Sequence, residues 1–397
     1  MQIDPNDSLH LTYCTNIHPG EDWASVEATL REAGPALKAR LSPNAPFGLG
    51  LRLSAVAARE AIEAGHVANF RNFLDAAGLY VAVINGYPYG EFHGAEVKDQ
   101  VFAPDWTTEA RLNYTLDLLG VLTGLLPEGL DGGISTMPLS YKPWNKSPDW
   151  QAIVRNLVRL TETMSRLHHS SGKLIHLDIE PEPDGLIENT AEVIRFYNDW
   201  LLPVGSPLLA AALAVPQIEA RQLLLSHIRI CFDSCHIAVE YEDPAESLAS
   251  LRAAGIQIGR VQLSSALKVA LPTNTGRLAP FADSTYLHQV IEDRGACLHH
   301  YPDLPQALAA PADPTAKQWR IHFHVPLFTA EYDGFQSTQE DVRAVLKLAV
   351  RDGFTNHLEI ETYTWDVLPP ALKLDMLDSI TREFQWVMAE VAAIRRH

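Results

Sequence analysis

The feature that most constrains this chain is an alternation. Short apolar runs of strand type recur between longer segments whose apolar residues repeat every three or four positions. That is the pattern of βα units over a parallel sheet, where strands are covered on both faces and each helix offers one apolar stripe. Strand-type runs fall at His10 to Asn16, Phe47 to Leu53, Leu79 to Asn85, Gly133 to Met137, Leu174 to Glu180, Ile228 to Asp233, Ile258 to Leu263, Arg320 to Val325 and His357 to Glu361. Helical segments separate most of them: Asp22 to Leu41, Ala55 to Ala77, Thr107 to Leu125, Asp149 to Ser170, Thr190 to Leu202, Pro244 to Ala253, Thr338 to Arg351 and Ala371 to Arg395. Within the fourth, Ile153, Leu157, Leu160 and Met164 share one face. Eight such units close a (β/α)8 barrel, an α/β fold.

Nine strand candidates compete for eight places. The stretch 269–318 is rich in Pro, Ala and Asp and has no clear partner strand, so we read it as an insertion on the C-terminal rim, after the seventh strand. On this reading the chain leaves the barrel after Ser264, forms a helix around Tyr286 to Asp293 and returns through WRIHFHVPLF. The alternative makes HFHVPL a barrel strand. No repeat, low-complexity tract or linker marks a second unit, so one barrel domain over 1–397 is expected, a length that α/β barrels with insertions reach.

Charge narrows the partners. Against 49 acidic residues stand 31 lysines and arginines, a formal net charge of −18, which repels polyanions, so no nucleic acid is expected. Four scattered cysteines, Cys14, Cys231, Cys235 and Cys297, suggest neither a disulfide framework nor a CxxC zinc site, and a reducing cytoplasm fits them. The start MQIDPNDSLHL lacks the basic and apolar regions of an export signal, and no run of about 18 apolar residues occurs, so no stable membrane insertion is expected.

In parallel barrels chemistry gathers at the C-terminal ends of strands. Four endings stand out. In IHLDIEPEP, Glu180 ends a strand on the same face as Asp178, and Glu182 lies just beyond. In IRICFDSCHIAVE, Asp233 ends an apolar run and His236 follows three residues later. In RIHFHVPLF, His322 and His324 point to one side of an extended chain, as do Glu359 and Glu361 in HLEIETYTW. Singly, each has an ordinary explanation: a strand-end carboxylate caps a helix or pairs with a base, and Asp233 could cap the helix that follows. Several acidic and imidazole groups at successive strand ends of one barrel instead suit a divalent cation, Mn, Mg, Co, Zn or Fe, which offsets the cost of burying carboxylates. Cys231 and Cys235 alternate onto the face of Asp233, where they read as small apolar fillers or as thiolate ligands.

These residues resemble the xylose isomerase-like barrels, which include ketose epimerases and apurinic endonucleases. Glu180 in IEPEP resembles the metal-binding Glu of the isomerases' EPKP motif, with Glu182 in place of a catalytic lysine. Asp233 and His236 in CFDSCH resemble the DxxH motif of the epimerases and endonucleases, and Glu361 in IET resembles the last-strand Glu that closes the metal site. Over essentially the whole chain the likeness is greatest to the EboE family of metabolite traffic proteins, through YCTNIHPGEDW, NGYPYGEFHG, VFAPDW, HLDIEPEP, FHVPLF and HLEIETYTWDVLP. That family is associated with gene clusters that prepare or export lipid-like or terpenoid secondary metabolites. Position 262 is Gln where the superfamily usually has a metal-binding His or Asp, which leaves the fourth ligand to His324, or else His322. Glu182 in the lysine position removes the isomerases' partner for a hydride shift. The endonuclease histidines of strands three and four are absent; NGYPYG and TMPLSY stand there.

The resemblance implies a metal at Glu180, Asp233, His236, His324 and Glu361, with Glu180 and Glu361 as acid and base. His236 and Gln262 would contact substrate oxygens. Arg52 would hold a phosphate or carboxylate, and Tyr87, Tyr89, Phe92, His93, Trp106 and Trp144 would wall the pocket around Glu182. The expected partner is a small molecule, sugar-like or a glycosylated or prenylated metabolite; superfamily relatives often form dimers or tetramers, which leaves a homo-oligomer open. Three functions remain: a metal-dependent sugar isomerase or epimerase, a carrier that binds and hands on a metabolite, and a metal-dependent hydrolase, which calls for two or three metals.

Overall fold

The computed structural model describes residues 1–4, 8–92, 97–273, 275–282, 285–332, 334–363 and 375–396. Eight parallel strands form the expected barrel: β1 (His10–Tyr13), β2 (Phe47–Arg52), β3 (Leu79–Asn85), β4 (Gly132–Thr136), β5 (Ile175–Ile179), β6 (Ile228–Asp233), β7 (Ile258–Leu263) and, after an excursion, β14 (His357–Ile360). Their order around the sheet is β1-β14-β7-β6-β5-β4-β3-β2, and a parallel bridge between Cys14 and Gly50 brings the two edges together. Every residue of these eight strands is buried, the polar residues that alternate in IHLDI, IGRVQL and HLEI included.

Helices pack outside. Trp150–Ser171 shows how the sequence writes them: Asp149 caps its start by accepting from the Ala152 N–H, Gly172 at φ +73° ends it, and Ile153, Leu157, Leu160 and Met164 are fully buried against the barrel. Each of those side chains contributes roughly 1.5–3 kcal/mol by leaving water. The region after β5 holds more helix than expected. Beyond Thr190–Phe196 and a π-turn at Tyr197–Leu201, helices Leu202–Leu213 and Gln217–His227 follow before β6. Among the described residues no single helix is long and apolar enough to cross a membrane; one pair, Thr190–Leu213 and Gln217–His227, passes by length and composition only together and is bent by 108°.

The excursion lies after the seventh strand. From Ser265 to Ser337 the chain builds a second sheet from β8 (Ser265–Ala270), β9 (Val290–Asp293), β10 (Leu298–Tyr301), β11 (Gln318–Val325), β12 (Glu331–Tyr332) and β13 (Phe335–Ser337), in the order β10-β9-β11-β8-β13-β12. The HFHVPL segment therefore belongs to this sheet, where β11 lies antiparallel between β9 and β8. The helix expected around Tyr286 to Asp293 is absent: Val290 and Ile291 are buried strand residues paired with both β10 and β11, and long-range pairing overrides a short local pattern. Leu267, Val269, Phe281, Val290, Trp319, Ile321 and Phe323 give this sheet its own apolar cluster. Its interior strand β11 is what carries His322 and His324 to the rim.

Candidate metal centre

Inside the barrel, one layer below the rim, the side chains are charged rather than aliphatic. Arg260 on β7 is fully buried and donates to Asp178 on β5 at 3.1 Å, to Glu359 on β14 at 2.9 Å, and to the carbonyls of Ile84 and Gly133. Glycines make the room. A Cβ on Gly259 would come within 1.8 Å of Asp178 Oδ1, and one on Gly50 within 1.6 Å of Glu359 Oε1. Alternation along the strands then puts Glu180 and Glu361 on the same inward face one layer higher, at the mouth.

There Glu180, Asp233 and Glu361 meet, each offering an oxygen within 4.8 Å of the others. The two oxygens of Asp233 have different work. Oδ1 caps the helix Ser234–Val239, accepting from the N–H groups of Cys235 at 2.7 Å and His236 at 3.2 Å and from the Ser264 hydroxyl at 2.5 Å; Oδ2 has no hydrogen-bond partner among the described residues. The capping explanation and the metal explanation of this residue therefore hold together, one per oxygen. Glu361 is likewise divided, since Oε1 accepts from Asn16 at 2.9 Å and Asn85 at 3.0 Å while Oε2 lies 3.7 Å from His324 Nδ1. Glu180 Oε2 has no donor among the described residues. Burial, then the charges of Glu361, Asp233 and Glu182, pushes the Glu180 carboxyl well above its ordinary range; burial followed by Asp233 and Glu359 does the same to Glu361. Buried carboxylates that converge with Glu180 Oε2 and Asp233 Oδ2 left without donors among the described residues fit a divalent cation, which relieves both the desolvation and the mutual repulsion.

Three imidazoles stand beside them. His236 Nδ1 lies 3.0 Å from the Pro181 carbonyl, His324 Nδ1 2.8 Å from the Glu361 carbonyl, and His322 Nδ1 2.8 Å from Gln289 Oε1. Burial lowers the proton affinity of all three, with the neighbouring imidazoles adding to it for His236 and His322. Glu182, whose carboxyl burial pushes up to about 8 against an opposing contribution from Tyr87, has Oε2 3.9 Å from His236 Nε2. A narrow cavity of about 60 Å³ opens over these groups, with Tyr87, Phe92, Phe102, Tyr286 and Tyr363 among its walls.

Of the residues expected here, Glu180, Glu182, Asp233, His236, His324, Glu361, Tyr87 and Phe92 are brought to the site or its walls. Others are not. Arg52 is buried at 2% exposure and its guanidinium is committed to Glu21 at 3.0 Å and to the carbonyls of Gly20 and Gly90, so it braces loops and is not offered to an anion. Tyr89 packs edge-on against Tyr114, away from the cavity. Trp106 is fully buried and donates to Thr136 Oγ1, which makes it core. Trp144 is 41% exposed and donates to Asp99 outside the cavity. Gln262 sits beneath the floor at 0% exposure, accepting from the Cys231 thiol at 3.0 Å, and does not reach a substrate. His93 lies outside the described residues. Sequence reasoning missed Asn16, Asn85, Gln289, Tyr286 and Tyr363. Asn16, Asn85 and Tyr363 end strands or follow them and could have been found by that position; Tyr286 and Gln289 depend on how the insertion folds back.

Another acid and imidazole cluster, Asp131 with His176 and His357, lies at the opposite end of the barrel. Arg229 already occupies Asp131 at 3.2 Å there, which argues for an ion-pair network.

No protein-family model and no curated protein matches the sequence. Solved structures match by fold. A D-tagatose 3-epimerase-like protein is 11% identical, with 98% of this chain and 99% of that one covered and a TM-score of 0.51. A xylose isomerase-like TIM barrel protein from Mycobacterium smegmatis, in complex with magnesium, is 10% identical, with 97% of each chain covered and a TM-score of 0.50. In fold, this chain is a TIM barrel similar to these two, extended by an antiparallel sheet after its seventh strand.

Proposed function

We propose that this chain is a divalent-metal-dependent isomerase or epimerase acting on a polyol or a sugar-bearing metabolite, with the cation held by Glu180, Asp233 and Glu361. The observation that carries the reading is the meeting of three buried carboxylates from three strand ends, two of which, Glu180 and Glu361, line an aromatic-walled cavity. A cation there would polarise a substrate carbonyl and its adjacent hydroxyl and so acidify the C–H bond between them. The chain's own groups divide the remaining work. Glu180 and Glu361 come from strands three places apart in the sheet, so one carboxylate takes the proton from carbon and the other returns one. Return to the opposite face of the same carbon epimerises; return to the neighbouring carbon isomerises. Asn16 and Asn85 hold Glu361 in position, and Tyr87, Phe92, Tyr286 and Tyr363 keep water out and offer faces to the substrate.

We place the activity in secondary-metabolite precursor processing or traffic on the motif likeness to EboE family proteins, and in a reducing cytoplasm, which the free thiols of Cys14, Cys231, Cys235 and Cys297 support. The test is exchange of carbon-bound hydrogen. Metal-loaded protein incubated in D2O with a panel of ketoses and polyol ketones is expected to place deuterium at one carbon, read by NMR. Glu180→Gln and Glu361→Gln, folded by circular dichroism, are expected to lose about 100-fold or more of that rate. Sugar binding by calorimetry with no exchange at any carbon would replace this reading with the carrier.

A further inference from the structure

We propose that the rim holds two cations: one in the oxygen-rich position of Glu180, Asp233 and Glu361, and a second, nitrogen-bound one at the Nε2 atoms of His236, His322 and His324. The proposal deepens the metal-dependent reading above and rests on it for the first cation only.

His322 meets the other two imidazoles tip to tip. His322 Nε2 lies 3.1 Å from His236 Nε2 and 3.2 Å from His324 Nε2. The hydrogen bonds at their other nitrogens decide where the protons are. Pro181 and Glu361 present carbonyls, which only accept, so Nδ1 of His236 and of His324 is the N–H. The Gln289 amide is oriented by its own NH2 donating to the Pro183 carbonyl at 3.0 Å, which turns Oε1 toward His322 and makes Nδ1 its N–H as well. All three Nε2 atoms therefore carry lone pairs, and lone pair faces lone pair across both gaps. One well-aligned proton cannot bridge two gaps that meet at the same nitrogen. A metal can: in a tetrahedral zinc shell with bonds of about 2.05 Å, neighbouring nitrogens lie about 3.3 Å apart. Each ring is also held from behind by a carbonyl or amide oxygen, as metal-bound histidines are.

The histidine set is separate from the carboxylate set. His236 turns Nδ1 toward Glu180 at 3.8 Å and His324 turns Nδ1 toward Glu361 at 3.7 Å, and those nitrogens are already committed to carbonyls. Asp233 lies between the sets, with an oxygen within 4.8 Å of ligand atoms of His236 and His324 as well as of Glu180 and Glu361. Glu182, near His236 Nε2, is placed as a further oxygen ligand on the cavity side. Charge agrees. Once ionised, Glu180, Glu182, Asp233 and Glu361 bring four negative charges, which one dication half compensates and two dications balance. Imidazole ligands favour zinc or cobalt and carboxylates favour magnesium or manganese, so the two positions differ in preference. A second cation would serve a hydrolase equally, so it says where charge sits and not which bond is broken.

The experiment is cobalt titration of the chelator-stripped full-length protein, followed by visible absorption, with bound metal counted by elemental analysis after gel filtration. Two equivalents are expected, one of them with the intense bands of nitrogen-ligated, low-coordinate cobalt. His322→Gln is expected to weaken that equivalent about 100-fold and abolish its bands while the other remains, and Glu361→Gln is expected to do the reverse. Gln289→Leu, which removes no ligand, should weaken the same equivalent about 10-fold or more and serves if His322→Gln does not fold. One equivalent with a spectrum that His322→Gln and Gln289→Leu leave unchanged would overturn the second site and leave the first standing. No bound metal at all would overturn both.

Discussion

Glu383 offers the most direct physical test of how this barrel end is assembled. It lies on the C-terminal helix Met376–Arg395, buried at 1% exposure, and Oε1 accepts from Thr362 Oγ1 at 2.6 Å and from the Leu327 N–H at 3.2 Å. It thereby ties the residue next to Glu361 to the chain returning from the insertion. Burial pushes its carboxyl from 4.5 up to about 8, against lowering by those two donors. The proton is thus held more tightly in the folded chain than in the unfolded one. Below pH 4.5 both states carry it and the group costs nothing. Between 4.5 and 8 only the unfolded chain releases it, so stability falls by about 1.4 kcal/mol per pH unit, to roughly 5 kcal/mol by pH 8, and is flat above. Glu383→Gln keeps the acceptor and cannot ionise. Urea midpoints for wild type and variant at intervals from pH 4.5 to 9 are expected to coincide at the acid end and diverge through that window, with the variant the more stable. Groups that titrate equally in both proteins cancel in the difference. Parallel profiles would show that the carboxyl ionises in the fold, and would refute the reasoning.

Asn85→Ala removes one of two donors from Glu361 Oε1 and is expected to weaken binding of the oxygen-bound cation about 10- to 100-fold by calorimetry; unchanged affinity would mean that Asn85 does not orient the ligand. Arg260→Met strips the partner from buried Asp178 and Glu359 and is expected to cost about 3–5 kcal/mol in denaturant unfolding, with Arg260→Lys failing to restore it because one ammonium cannot reach two carboxylates and two carbonyls; a change under about 1 kcal/mol would refute the charge-pair account.

Much of the site was legible because barrel geometry converts sequence position into spatial position. A polar residue that ends an apolar strand must emerge at the C-terminal mouth, and that alone brought Glu180, Asp233 and Glu361 together. Aromatic residues carried no such rule. Tyr89 and Trp106 share a loop with wall-forming residues and Trp144 lies on the next one, yet their rings turn to Tyr114, Thr136 and Asp99, since which way a loop side chain points depends on what packs behind it. Arg52 failed for a related reason: a strand-end arginine is equally fit to grip loop carbonyls, and Glu21 claimed it.

Along the sequence nine strand candidates, an excursion after Ser264 and the carboxylates of the mouth were legible, because apolar period and strand-end position are local properties that the barrel maps directly into space. Only the tertiary structure decided the histidines. His322 and His324 sit on a strand whose place is set by antiparallel pairing with Val290–Asp293 and Ser265–Ala270, distant in sequence, and their Nε2 atoms are aimed by Gln289 and by carbonyls that no pattern along the chain predicts.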